Sequence, residues 1–444
     1  MKRVLIITYD FPPYVSVGGL RPYNWYVHFK EFGVEPIVVT RQWGNKHGNF
    51  LDYVAAGESN GTVLEQTDLG TILKTAYHPN FANRLLLKHG EKKYTFIRRS
   101  ISAYYEFAQF IRPIGPKAGL YHGAREYLKN NRVDAIIATG DPFVLFNYAA
   151  KLSKEFRIPW IADYRDSWSH EQKHTKNLPM RLWNSFLEKK IVSSTDHIST
   201  VSTFIFSKIN QLIPNKSFSI IPNGYNQNEI NQIHEIPQQN KVLTIAFIGT
   251  IYNWHPIKSF LRTIEKFIQI NKDYSIALNF YGTNINGYLE QLITKDFPDL
   301  SEHVRIFAKM PNEELLRRLA EANVMLLFND YSYMGTKIFD YIGLKRKIIL
   351  CYSDDSEAKK LKEKYYTIEE LESESKQLQA DLIQKINAGV VVKDASNLLA
   401  VLEKLHIEFE TTGKIACYSI NVENYSHKIQ AEKVAELILN VVTK

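Results

Sequence analysis

The sequence predicts an α/β protein built as two parallel-sheet domains facing a central cleft, and three observations carry that prediction. At 444 residues, the chain is too long for one hydrophobic core, so two domains of about 200 residues each are the natural division. Short apolar runs alternate with longer amphipathic stretches along the chain, the rhythm of a parallel sheet covered on both faces. One polar segment, 223–240, with Gly224, Pro237 and several Asn and Gln residues, interrupts that rhythm near the middle.

The first series opens with a strand over 4–9. A helix over 20–32 follows, with Pro22 near its start and Gly33 at its end, where each residue is best tolerated. A strand at 36–40 precedes a long basic region, read as helical over 94–127. Strands at 135–139, 160–162, 197–201 and 219–221 then alternate with helices at 143–156, 181–193 and 203–212.

The second series runs through strand 242–249, helix 257–270, strands 275–281 and 304–307, helix 312–321 and strand 324–328. A short helix containing Lys337 leads to strand 347–351. The Lys- and Glu-rich stretch 356–386 reads as one extended exposed helix, 388–392 as a last strand, and 427–442 as an amphipathic helix. The domains are therefore placed at 1–225 and 242–423, with a linker at 226–241 and a closing helical segment at 424–444. In sheets of this kind ligands bind beyond the carboxyl ends of the strands.

Composition narrows the class. With 45% hydrophobic and 23% charged residues, the chain has the balance of a globular protein, and no run approaches the roughly 18–20 apolar residues needed to span a bilayer. The opening apolar run breaks at Thr8-Tyr9-Asp10, too early for a signal peptide. Two cysteines, Cys351 and Cys417, form neither a disulfide framework nor a zinc cluster. A cytoplasmic setting is expected. Segment 81–132 carries eleven Lys and Arg against three Glu, as much net charge as the whole chain's +8, with Tyr94, Phe96, Tyr104, Tyr105, Phe107 and Phe110 interleaved. Three readings apply: a nucleic-acid surface, which no recognisable module supports; an anionic membrane surface; and a solvated basic helix over a core.

Several positions could carry chemistry. Lys337 and Asp340 are three residues apart, on one helix face, beside a first turn whose free N–H groups favour an anion. A phosphate on Lys337 and a ribose diol on Asp340 would make a nucleotide site; a surface ion pair is the plainer reading. Gly18-Gly19, after the first strand and before a helix, would let backbone approach a phosphate. This is not a dinucleotide fingerprint, and the second strand ends in Arg41 rather than an acid. Arg41 could suit a 2′-phosphate, so NADP is disfavoured but not excluded.

Asp163, Arg165 and Asp166 lie at a strand's carboxyl end, either as catalytic groups or as a network fixing a loop. Thr139-Gly140-Asp141-Pro142 ends the neighbouring strand. Gly249-Thr250 opens toward Lys258, and Gly282 ends the next strand; ordinary turns explain these equally well. His47, His170 and His174 lack metal spacing and are left out of the catalytic set.

Taken together, Phe11-Pro12-Pro13 with Gly18-Gly19, Asp163 to Trp168, Ile221 to Gly224, Phe247 to Thr250 and Thr336 to Tyr341 resemble the GT-B glycosyltransferases. The resemblance is greatest to the retaining family 4 group that builds bacterial surface polysaccharides. It implies two Rossmann-like domains, with Gly19 under a donor diphosphate, Lys337 and Thr336 at its phosphates and Asp340 at the ribose. Gly18, Gly249, Thr250, Lys258 and Gly282 would complete the donor site, and the final helix would cross back onto the N-terminal domain.

The implied reaction moves a sugar from a nucleotide-diphosphate sugar to an acceptor hydroxyl, on a sugar or a lipid-linked acceptor, with retention. Asp163 or Asp166 would orient the acceptor or position Arg165. No metal is required, since no Asp pair of the DXD type is present. No nucleic-acid partner is expected, and a peripheral place on the inner membrane face is. Two departures stand out. The family's first acidic position falls at Ser332, and Thr250 stands where a basic residue is common. A non-catalytic glycosyltransferase-like subunit and an NAD(P)-dependent oxidoreductase remain as other readings.

Overall fold

The computed structural model describes residues 1–14, 16–44, 51–169, 178–272, 274–372 and 374–443. They form two compact units: 1–222 with 428–444, and 223–427. His47, His170 and His174 lie outside the described residues.

The first unit contains β1 (Lys2–Ile7), α1 (Val17–His28), β2 (Val34–Arg41), β3 (Val63–Thr67), β4 (Gly70–Thr75), α2 (Phe81–His89), α3 (Thr95–Ile111), α4 (Ala118–Asn130), β5 (Ala135–Gly140), α5 (Val144–Phe156), β6 (Trp160–Tyr164), α6 (Leu178–Val192), β7 (His197–Thr200), α7 (Thr203–Leu212) and β8 (Phe218–Ile220). Its sheet has the order β3-β4-β2-β1-β5-β6-β7-β8. Every pairing is parallel except β3 with β4.

The order reverses between β1 and β5, so the loops leaving those two strands diverge and open a crevice. Most expected elements are present. The basic region is not one helix, however: Pro113 and Pro116 lack the N–H a helix interior needs, and the chain breaks between α3 and α4. The β3–β4 hairpin falls where the sequence reading assigns nothing.

The second unit contains α8 (Gln227–Ile233), β9 (Leu243–Ile248), α9 (Ile257–Ile270), β10 (Ile276–Tyr281), α10 (Asn286–Asp296), β11 (Val304–Phe307), α11 (Asn312–Glu321), β12 (Val324–Phe328), α12 (Lys337–Gly343), β13 (Lys347–Cys351), α13 (Ser356–Tyr365), α14 (Leu378–Lys385), β14 (Gly389–Val392) and α15 (Ala395–Thr412). Its sheet, β11-β10-β9-β12-β13-β14, is wholly parallel and reverses between β9 and β12. Alternate residues of β9 feed opposite cores. Leu243, Ile245 and Phe247 pack on one face with α9, α10 and α15. Ala246 and Ile248 pack on the other with α11, α12 and α14.

The stretch 356–386 is two helices, not one long exposed one. The second, α14, is buried, because Ala380, Leu382 and Ile383 enter the core. The segment 226–241 holds α8, whose Ile230 and Ile233 join the same core. Asp394 caps α15 and Gly413, in the left-handed region, ends it. The last helix, α16 (His427–Val442), places Ala431, Val434, Ala435 and Ile438 among Val4, Ile6 and Ile137 of the first unit's core.

Candidate active site

In the first unit, charged groups collect beyond β1, β5 and β6. Ser16 caps α1: its Oγ accepts the Gly19 N–H at 3.0 Å and donates to Asp10 Oδ2 at 2.7 Å. Gly19 passes close to the Asp10 backbone, and a Cβ at Gly18 would lie 2.3 Å from the Arg165 guanidinium. Both glycines are thus explained by close packing. The Gly19 amide is taken up by the Ser16 cap.

Arg165 donates to the carbonyls of Gly140 (2.9 Å) and Asp141 (2.6 Å), which fixes its position at the crevice. Burial raises the carboxyl groups of both Asp10 and Asp166 above the usual range. The Arg165 charge pulls each down, as does the Ser16 hydroxyl for Asp10, and Asp141 pushes both up. Asp10 Oδ1 is shielded from water and has no hydrogen-bond partner among the described residues. Asp10 is absent from the sequence-derived set. Its signal was available, since a carboxylate three residues past a buried strand sits at the crevice.

Asp163 is different. It is fully buried and receives Arg21 Nε and Nη2, Thr139 Oγ1 at 2.9 Å and Ser199 Oγ at 2.6 Å. Arg21 also donates to the carbonyls of Ile221 and Pro222. Every acceptor position of Asp163 is engaged by strands β5, β7 and helix α1, so it ties these elements together and is not presented to a substrate. Arg41 is also closed off. It is 1% exposed, bonded to the carbonyls of Gln42, Tyr53 and Ala55, and covered by Tyr77 and Trp43. A cofactor 2′-phosphate has no access to it, which removes the dinucleotide argument resting on Arg41.

In the second unit, the loops after β9 and β12 meet. Gly249 has φ +108°, a conformation glycine adopts without strain, and the Lys337 stem lies alongside it, 3.6 Å from where a Cβ would be. The Ile248 N–H donates to Tyr341 Oη at 2.9 Å, which fastens α12 to β9. Lys337 Nζ lies 3.4 Å from Asp340 Oδ2, and both side chains remain partly exposed. Burial raises the Asp340 carboxyl and the Lys337 charge opposes it. Thr336 precedes the helix without a side-chain cap bond. With seven residues, α12 has little dipole to offer, so the Lys337 ammonium is the principal positive charge here.

The remaining expected donor-site residues are scattered. Thr250 is exposed. Lys258 pairs with Asp296 at 3.1 Å on the outside of α9. Gly282, at φ +59°, packs against the Lys309 stem. Asp330 draws the loop after β9 inward, accepting from His255 Nε2 at 2.8 Å and from Gln379 Nε2 at 3.3 Å. Ser332 is buried, and its Oγ donates to Glu370 Oε1 at 2.9 Å. Glu370 also holds Lys362. A carboxylate from 38 residues downstream therefore rests against Ser332. Among the described residues, no group of three or more His, Cys, Asp or Glu is placed to hold a metal.

Residues 23–229 match the family model described as Glycosyltransferase Family 4. A glycosyltransferase domain thus occupies this part of the chain. No curated protein matches the chain, but solved structures do. Sucrose-phosphate synthase from Thermosynechococcus elongatus is 13% identical over the whole of both chains, with TM-score 0.62. The structure described as trehalose-6-phosphate from E. coli bound with UDP-2-fluoro glucose is 10% identical, covering 99% of this chain and 96% of that one, with TM-score 0.56. An α,α-trehalose-phosphate synthase (UDP-forming) from Burkholderia xenovorans, in complex with glucose-6-phosphate, is 9% identical over 99% and 100%, with TM-score 0.56. Identities this low establish the fold, the GT-B arrangement of two parallel-sheet α/β domains.

Proposed function

We propose that the protein transfers a sugar from a nucleotide-diphosphate sugar to an acceptor hydroxyl, with retention of configuration, in the assembly of a polysaccharide or glycolipid. The observation that carries this reading is the Lys337 corner: one accessible ammonium beside a left-handed glycine, with a carboxylate a helical turn away, at the strand-order reversal of the second sheet. The family match over 23–229 supports it, as do the UDP-sugar and glucose-6-phosphate in the titles of two structures of the same fold.

Negative charge builds on the departing diphosphate as the glycosidic bond breaks, so a fixed cation aimed at it lowers the barrier more than it tightens ground-state binding. Lys337 supplies that cation, and Asp340 accepts from the ribose. In the first unit, Arg165 and the raised carboxyls of Asp10 and Asp166 orient the acceptor. No metal enters this scheme. The acceptor is a sugar or a lipid-linked sugar at an anionic membrane face on the cytoplasmic side.

The test is a thermal-shift panel of UDP-, GDP- and dTDP-sugars, followed by turnover with the one that binds. Losing one charge-assisted contact costs about 1.5–3 kcal/mol, so Lys337→Ala should weaken donor affinity about 10- to 150-fold. Unchanged affinity in both Lys337→Ala and Asp340→Ala would remove the site assignment. Donor binding with no turnover under any acceptor would favour the non-catalytic reading.

A further inference from the structure

We infer that helices α3 and α6 of the first unit form one apolar face that inserts into the surface of an anionic bilayer. This deepens the proposed function only in what the surface would deliver, a lipid-linked acceptor; the surface itself stands on its own geometry. On α3, Phe96, Tyr104, Phe107 and Ile111 recur at three-, four- or eight-residue spacing, hence on one side of the helix. All four point outward, Phe96 with 82% of its surface exposed. The opposite side, with Ala108 and Gln109, is the buried one. An amphipathic helix of a globular protein normally turns its apolar stripe inward; α3 turns one outward.

Helix α6 repeats the arrangement. Leu178, Leu182 and Phe186 are spaced by four and exposed, while Leu187, Ile191 and Val192 face the core. The two stripes are joined: the Phe107 and Trp183 rings stack at 4.7 Å, and Trp183 stacks on Phe186 at 5.9 Å. Separate exposed apolar residues need no explanation, but a continuous aromatic and aliphatic face across two helices does.

Charge decides the occupant. Lys88, Lys92, Lys93 and Arg99 are exposed beside the α3 stripe, and Arg181, Lys189 and Lys190 beside that of α6. Glu106, an acid on α3, is neutralised by Lys117. Basic side chains flanking Phe and Leu are what an interfacial helix presents to acidic headgroups, the apolar side chains entering the acyl boundary. No described helix is long and apolar enough to cross a membrane, so contact would be from one side. Sequence reading placed the candidate surface at 81–132; the structure adds α6, which supplies half of the apolar face.

The experiment is co-sedimentation of the full chain with phosphatidylcholine vesicles, with and without phosphatidylglycerol, in the absence of any nucleotide sugar. Binding is expected to the anionic vesicles at low salt and to fall sharply in about 0.5 M salt. The variant Phe96→Ser/Tyr104→Ser/Ile111→Ser should lower partitioning at least about tenfold with an unchanged melt, since these three side chains are mostly exposed. If that melt shifts, Phe96→Ser alone serves.

No binding to anionic vesicles at low salt overturns the inference, and so does wild-type binding by the triple variant. A vesicle-free dimer that Phe96→Ser dissociates would show that a second copy covers this face. Vesicle binding without turnover would leave the docking surface standing and count against the transferase reading; turnover without vesicle binding would do the reverse.

Discussion

Replacing Asp163 by alanine should destabilise the first unit rather than merely silence it. The substitution strands the buried guanidinium of Arg21, leaving it the carbonyls of Ile221 and Pro222 and the face of Trp25 but no counter-charge. It also removes the acceptor for Thr139 and Ser199. Breaking a buried ion pair from one side costs about 3–5 kcal/mol, because the surviving charge can neither return to water nor find another partner. For a unit of more than 150 residues, each kcal/mol moves the melting temperature by about 2–4 °C, so a fall of about 6–20 °C is expected.

Tryptophan fluorescence is a suitable probe. Trp25, Trp43, Trp160, Trp168 and Trp183 lie in the first unit, and only Trp254 lies in the second. The double variant Arg21→Met/Asp163→Leu removes both charges and should melt above either single change. A melt of Asp163→Ala within about 2 °C of wild type, together with loss of transfer, would refute the structural assignment and return Asp163 to the reacting atoms.

Two further outcomes follow from the site. Burial raises the Asp10 carboxyl, so between the unfolded and folded values the folded state binds a proton that the unfolded chain has released; the stabilisation is complete below the unfolded value and is lost as pH rises through the folded one. The melting temperature of Asp10→Asn relative to wild type should therefore climb from about pH 4 upward. A flat difference would contradict the raised carboxyl. Glu370→Gln should raise KM for the nucleotide sugar about tenfold and leave affinity for the nucleotide diphosphate unchanged, if this carboxylate serves the sugar half of the site. Equal losses for both ligands would count against that role.

Much of this was legible in the sequence because periodicity reports burial directly. The strands of both sheets read as short apolar runs, and Asp394 with Gly413 marks the ends of α15, although the strand–helix reading stopped short of it. What escaped was long-range. Strand β3 is the sheet edge, with Val63 and Leu64 exposed, and buried β4 carries only Ile72 and Leu73 among Gly, Thr and Lys, so neither shows the apolar run that identifies a central strand.

Lys and Glu around α14 hid the buried Ala380, Leu382 and Ile383. In the site, the Lys337–Asp340 pairing was local and visible. The burial of Asp163 and Arg41 was not, since it depends on Arg21 and Ser199 for the first and on Tyr53, Ala55 and Tyr77 for the second, all distant in sequence. Glu370 could not be assigned to Ser332 from spacing alone, because a 38-residue excursion through α13 brings it there.

The place of α16 in the first unit's core has a consequence for how the protein is made. Strand β1 leaves the ribosome before any of the second unit, yet Val4 and Ile6 are covered by Ala431, Val434 and Ile438, which follow it. The second unit, contained within 223–427, can close while the first still lacks a wall of its core. The unit begun first is thus completed last, and through the synthesis of some 200 intervening residues it depends on not aggregating through that open apolar face.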